Sequence, residues 1–175
     1  AVSVSAGKRS SRSIAMQLCR LVYYSKYNIS ARSGVADDLK QILATAIRSN
    51  SGKGITGGLI FNRQFFGQVL EGDHAAVTQT FVRINGDPRH SDIVLTEMKP
   101  VGERLFGAWS MGYAGKSELF QALCGKYGLA DGFDPMRMSG SDLTAFILTL
   151  VTQEQNVVSS EKIGASEEVG EFHEL

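Results

Sequence analysis

Two short apolar runs, Ile55 to Phe61 and Phe65 to Leu70, stand only three residues apart, joined by Asn62-Arg63-Gln64. Runs of that length, rich in branched and aromatic residues around a polar turn, read as a β-hairpin. Its flanks constrain the rest of the chain. Before it, Val35, Leu39, Ile42, Leu43, Ala46 and Ile47 recur at helical spacing between Val35 and Arg48, one apolar face of an amphipathic helix. Ser30 and Ser33 are placed to cap that helix, and Ser49 to Gly54 ends it. After the hairpin, Val77, Phe81 and Ile84 form a second apolar stripe. Asp73 is placed to cap it, and Gly86-Asp87-Pro88 stops it. Outside both helices lie two further strand-like runs, Leu18 to Ser25 (LCRLVYYS) and Ile93 to Met98. The order βαββαβ predicts the ferredoxin-like α+β arrangement, an antiparallel sheet with both helices on one face. Right-handed crossovers then leave little freedom in the topology. Trp109 to Tyr113 adds a fifth strand, giving βαββαββ.

The segments around this core have a different character. Residues 1–15 are small, Ser-rich and basic, without the apolar stretch of a signal peptide, and read as a flexible tail. The core spans 16–115. Residues 116–155 read as a helical cap, with one short helix at Leu119 to Tyr127 and one amphipathic helix at Ser139 to Val151. That cap suits the sheet face that the first two helices leave open. Residues 156–175 are polar and acidic and read as a mobile tail.

Composition excludes several function classes. With 18 basic and 18 acidic side chains, the chain lacks the cationic surplus on which nucleic-acid binding relies. No apolar run reaches the roughly 18 residues of a membrane span. Cys19 and Cys124 are too few for a disulfide framework and are not spaced for zinc. Two thiols fit a reducing cytoplasm, where we expect the protein to work. No GxGxxG follows a strand, and the patterns GxxxxGK[ST], HExxH and GxSxG are absent. His74, His90 and His173 are not spaced for a metal. The sequence therefore predicts a protein that is not an enzyme.

The informative residues are polar ones inside apolar strands. Tyr23 stands in the middle of the first strand. Gln68 stands in the middle of the third, between Phe65-Phe66 and Val69-Leu70. A buried glutamine must satisfy both ends of its amide. Taken singly, each fits an ordinary core, and Asn50 fits a helix C-cap. Together with their neighbours they form a pattern. LVYYS, Asn50 followed by GITGGLIF, FFGQVLEG, DPRH and FGAWSM resemble, in order and spacing, the BLUF family of flavin-based blue-light receptors. The resemblance covers about residues 17–115, and FDPMRMSGSDL resembles the helical cap of short BLUF proteins. Two positions depart from the pattern: Gly67 replaces a large apolar residue, and Ser49 replaces a second Asn.

The resemblance implies a non-covalently bound flavin, FAD, inserted between the two helices. Tyr23 and Gln68 would be the photoactive pair, Tyr23 as electron donor and Gln68 between the phenol and the flavin. Asn50 would bond the ring edge. Arg83 and Asp87, four apart on the second helix, would reach the flavin tail. Ile42 and Ile84 would sandwich the ring, with Arg89 and His90 at its rim. Trp109 and Met111 match the switch positions of strand five, which leads into the cap. The resemblance also implies a homo-oligomer and a downstream signalling protein, because no cyclase or phosphodiesterase pattern stands in these 175 residues. Two other readings are a ferredoxin-like domain that binds another small molecule or a protein, and a flavin-dependent reductase.

Overall fold

The structure, a computed structural model, describes residues 17–28, 34–113, 117–153 and 158–159. Its sheet holds β1 (Leu18–Tyr27), β2 (Thr56–Phe61), β3 (Phe65–Asp73), β4 (His90–Pro100), β5 (Trp109–Tyr113) and β6 (Val158–Ser159). The helices are α1 (Val35–Ser51), α2 (His74–Asn85), α3 (Glu118–Lys126) and α4 (Gly140–Gln153). The strand order is β4-β1-β3-β2-β5-β6. The first four strands are antiparallel to their neighbours, whereas β5 runs parallel to β2. This is the ferredoxin-like α+β fold predicted from the hairpin and its flanks.

Local chemistry sets the element ends. Asn62 Oδ1 accepts from the backbone N–H of Gln64 and Phe65 and closes the β2–β3 hairpin. Asp73 caps α2 by accepting from Ala75 and Ala76, which satisfies N–H groups that a helix start leaves unpaired. Helix α1 begins without a side-chain cap; Gly34 precedes it at φ +128°. Ser30 and Ser33, the expected caps, lie outside the described residues. Two strands run further than the sequence suggests, β3 to Asp73 and β4 from His90 to Pro100. Polar residues at strand ends blur the apolar pattern while their backbones stay paired. Val158 and Ser159 add a sixth strand against Ser110 and Met111, where the sequence suggests only a tail; the remainder of that tail lies outside the described residues.

Strand alternation sorts the sheet into two cores. On one face, Leu21, Tyr23 and Tyr27 of β1, Leu59 and Phe61 of β2, and Phe66 and Leu70 of β3 pack under α1 and α2. On the other, Val22, Ile60, Phe65 and Val69 pack against Phe133, Leu143, Phe146, Ile147 and Leu150 of the cap. The central strand β3 is therefore buried from Phe65 to Gly72. Gly57 has no alternative on β2: at φ +150°, a Cβ there would lie 2.0 Å from the Val69 carbonyl oxygen.

Glu71 positions β5. Its carboxylate is wholly buried. It accepts from Arg20 Nε at 2.6 Å and from the backbone N–H of Leu105 and Phe106. Arg104 in turn donates to the carbonyls of Glu71 and Gly54. The loop after β4 is thus fixed just before β5 begins.

Candidate functional site

Helices α1 and α2 part over the sheet and leave a cleft that encloses about 540 Å³ of empty space, partly open to solvent. Nine residues singled out in the sequence line it: Tyr23, Ile42, Asn50, Gln68, Arg83, Ile84, Asp87, Arg89 and His90. The sheet register explains the floor. Tyr23 pairs with Gln68, Gln68 with Leu59, and Leu59 with Met111, one line across four strands. Trp109 pairs with Gly57 by backbone register. The side chains of Trp109 and Met111 lie outside what the structure describes.

At the floor, the Tyr23 phenol donates to Gln68 Oε1 at 2.5 Å, and both side chains are buried. Burial raises the Tyr23 phenol well above its ordinary pKa, and the charge of Asp87 adds to the effect. Its proton therefore stays on oxygen near neutral pH, held in a formed bond to the Gln68 amide.

Two residues that line the cleft carry a buried polar atom without a hydrogen-bond partner among the described residues, Asn50 Oδ1 and Thr80 Oγ1. Asn50 is 2% and Thr80 1% exposed. Leaving such atoms unpaired costs about 1–3 kcal/mol each, so the pattern fits a ligand that supplies polar partners. A flavin ring carries a donor at N3 and acceptors at N5, O4 and O2. Asn50 Oδ1 matches the donor and Thr80 Oγ1 can serve either kind, so the cleft fits the group.

The mouth departs from the sequence reading in one respect. Arg83 and Asp87 do not share a helical face, because α2 ends at Asn85 with Gly86 closing it. Asp87 is instead gripped by Arg89, which donates from Nε and Nη2. Burial works against ionisation of Asp87, but hydrogen bonds from Arg89 hold its carboxyl below the usual range. His90 lines the cleft as well. Its Nδ1 lies 2.7 Å from Ser25 Oγ, and its ring packs 4.5 Å from that of Phe66. Burial pushes His90 down to about 4, so it is neutral near pH 7.

Sequence reasoning missed Thr45, Ala46, Leu59 and Thr80, which also line the cleft. A helical signal existed. Thr45 and Ala46 follow Ile42 by three and four, and Thr80 precedes Arg83 and Ile84 by the same steps.

Residues 18–112 match the family described as sensors of blue light using FAD. The chain belongs to the BLUF family. Its cofactor is FAD, and its role is that of a blue-light photoreceptor in signalling. The chain is similar to photoactivated adenylate cyclase subunit beta of Euglena longa, 40% identical over 75 residues, 42% of this chain and 9% of that protein. A beta-like protein FB of Euglena gracilis is 35% identical over 95 residues, 54% of this chain and 11% of that protein. The chain thus spans about a tenth of the length of these curated relatives. Among solved BLUF structures, BlsA in its photo-activated state superposes with a TM-score of 0.70 at 29% identity, covering 79% of this chain and 98% of that one. BlrB in its dark state superposes at 0.59 and 30% identity, covering 74% and 96%. Among the described residues, no helix is long and apolar enough to cross a membrane, and no group of His, Cys, Asp and Glu is arranged to hold a metal ion.

Proposed function

We propose that this BLUF domain works as a light-sensing regulatory module in which Tyr23 and Gln68 are the photoactive pair. The observation that carries the reading is the formed bond from the Tyr23 phenol to Gln68 Oε1 on the floor of the cleft. Bound FAD supplies a one-electron oxidant when it absorbs blue light. Asn50 and Thr80 hold the ring through their unpaired oxygens, Ile42 and Ile84 pack its faces, and Arg83 receives the anionic tail. A phenol that has lost an electron is a strong acid, so the Tyr23 proton leaves along the bond to Gln68. The Gln68 amide has one donor end and one acceptor end. When electron and proton return to Tyr23, the amide is left in its alternative arrangement. The hydrogen bonds offered to the cleft are rewritten without movement of the backbone.

The register line from Tyr23 through Gln68 and Leu59 to Met111 supports an output through β5. Trp109 and Met111 are the switch positions, and the α3–α4 cap relays the change to a second copy of the chain and to a partner protein. This is a population shift between two states. Relatives named as photoactivated cyclases make an effector the natural recipient of that signal.

The test is absorption spectroscopy of the flavin-loaded protein before and after blue light. The wild type gives a small red shift that decays in the dark. Tyr23→Phe and Gln68→Leu keep the flavin and lose the shift, the first lacking the oxidisable phenol and the second the switchable amide. A normal shift in either variant overturns the assignment. Hydrogen exchange over 117–153, dark against lit, reads the output. Met111→Ala keeps the red shift and loses the light-dependent change in the cap. Light scattering gives at least a dimer; a monomer at all concentrations refutes self-association.

A further inference from the structure

A second buried tyrosine lies near the photoactive pair. The phenol of Tyr27 donates to Asp38 Oδ2 at 2.5 Å, and both side chains are buried. Tyr27 stands four residues beyond Tyr23 on β1, so the two share a face of the sheet. Aromatic rings bridge them. The Tyr23 and His90 ring centroids are 6.4 Å apart, His90 and Phe66 4.5 Å, and Phe66 and Tyr27 5.9 Å.

The two phenols differ in what receives the proton. Tyr23 donates to the neutral amide oxygen of Gln68, a very weak base. Tyr27 donates to a carboxyl group in the first turn of α1, at the positive end of the helix dipole. Arg89 donates from Nη1 to the Asp38 carbonyl at 3.2 Å and adds positive charge beside it. A phenol gives up an electron far more readily when its proton can pass to a base in the same event, because the route then avoids a strongly acidic radical cation.

We infer that Tyr27 and Asp38 form a second redox-active site, which refills the electron vacancy on Tyr23. The inference rests on the reading of Tyr23 as the donor to photoexcited flavin. Tyr23, short of one electron but still protonated, takes one from Tyr27 through the ring stack. The Tyr27 O–H bond breaks as an O–H bond forms on Asp38 Oδ2. Tyr23 is restored as a phenol and Tyr27 becomes a neutral radical. The cycle closes when the electron first taken from Tyr23 comes back to Tyr27 and Asp38 returns the proton, so nothing is consumed. A Tyr23 refilled in this way has passed no proton to Gln68, and the amide keeps its dark arrangement. The site is thus a shunt that competes with the switch and lowers the yield of the lit state.

Tyr27→Phe keeps the ring, and Asp38→Asn keeps an acceptor while removing the base. The flavin-loaded full chain and both variants are illuminated at low temperature and followed by electron paramagnetic resonance, with ring-deuterated tyrosine identifying a tyrosyl signal. A low-field proton resonance for the Tyr27–Asp38 bond, read by nuclear magnetic resonance in the dark, checks the contact without light. The expected result is a wild-type tyrosyl signal that loses its Tyr27 component in both variants, leaving only the short-lived Tyr23 contribution, a dark resonance lost with it, and a higher yield of red-shifted protein per photon in both variants. A tyrosyl signal that persists unchanged in Tyr27→Phe, or an equal yield in all three proteins, overturns the inference. Tyr23→Phe, run alongside, separates the two failures: a red shift that survives there overturns the donor reading and the inference with it. If that shift is lost while Tyr27→Phe and Asp38→Asn behave as wild type, only the shunt falls.

Discussion

A Cβ on Gly67 would stand 3.0 Å from the ring of Phe133 and 3.2 Å from Leu143 Cδ1. Gly67 precedes Gln68, so strand alternation turns it away from the cleft and towards the cap. The space that a side chain at this position would take is filled by Phe133 and Leu143 of the cap. The departure at Gly67 therefore leaves the packing around Gln68 intact. It keys Phe133 to the back of the strand that carries Gln68, and Asn62 also donates to the Phe133 carbonyl at 2.8 Å.

Gly67→Leu should overpack that contact and destabilise the fold by about 1–3 kcal/mol, with the flavin absorbance retained. Phe133→Ala in the same chain should recover part of the loss, because the two sites share one volume. Denaturant unfolding of the four proteins measures the coupling, and strict additivity would refute the contact.

Asn50→Ala removes a buried acceptor from the cleft, and Thr80→Val replaces a hydroxyl with a methyl of similar shape. Each should weaken flavin binding by about 1–3 kcal/mol, while Thr80→Val leaves the flavin-free protein at least as stable, because an unpaired buried hydroxyl is removed. Flavin titration followed by fluorescence quenching reads this. Unaltered affinity in both variants would mean that neither oxygen meets the ring.

Glu71→Ala strands Arg20 and frees the Leu105 and Phe106 N–H groups. Breaking a buried pair of this kind costs about 3–5 kcal/mol. Thermal unfolding should show the loss. Hydrogen exchange should show opening at 104–108 before the central strands open.

Protonation of His90 is disfavoured in the fold, because burial holds it at about 4 against about 6.5 in an unfolded chain. Between those values the unfolded state binds more protons, so stability is full above pH 6.5 and falls as pH drops towards 4. The slope approaches about 1.36 kcal/mol per pH unit, and the change from pH 6.5 to 5 is about 1.6 kcal/mol. His90→Gln should flatten that slope in denaturant unfolding, and an unchanged slope would place the titration elsewhere.

The sequence alone determined the order of elements, because apolar periodicity of two or near four records which side of each segment meets a core. It also marked Tyr23 and Gln68, since a polar group amid Val, Leu and Phe must have a partner. The tertiary structure decided which partner: the β1–β3 register sets Tyr23 opposite Gln68, and no local pattern carries a register between strands 45 residues apart in sequence. The same holds at the mouth. A spacing of four suggested that Arg83 and Asp87 share a face, but the helix stops between them and Arg89 holds the carboxylate. Thr80 reads as an ordinary helical threonine until α2 is laid over the sheet. Tyr27 and Asp38 are eleven apart, on a strand and a helix, and only the crossover that stacks α1 on β1 brings phenol to carboxyl. Local sequence encodes which faces are apolar, and polar partners come from long-range packing that chooses among those faces.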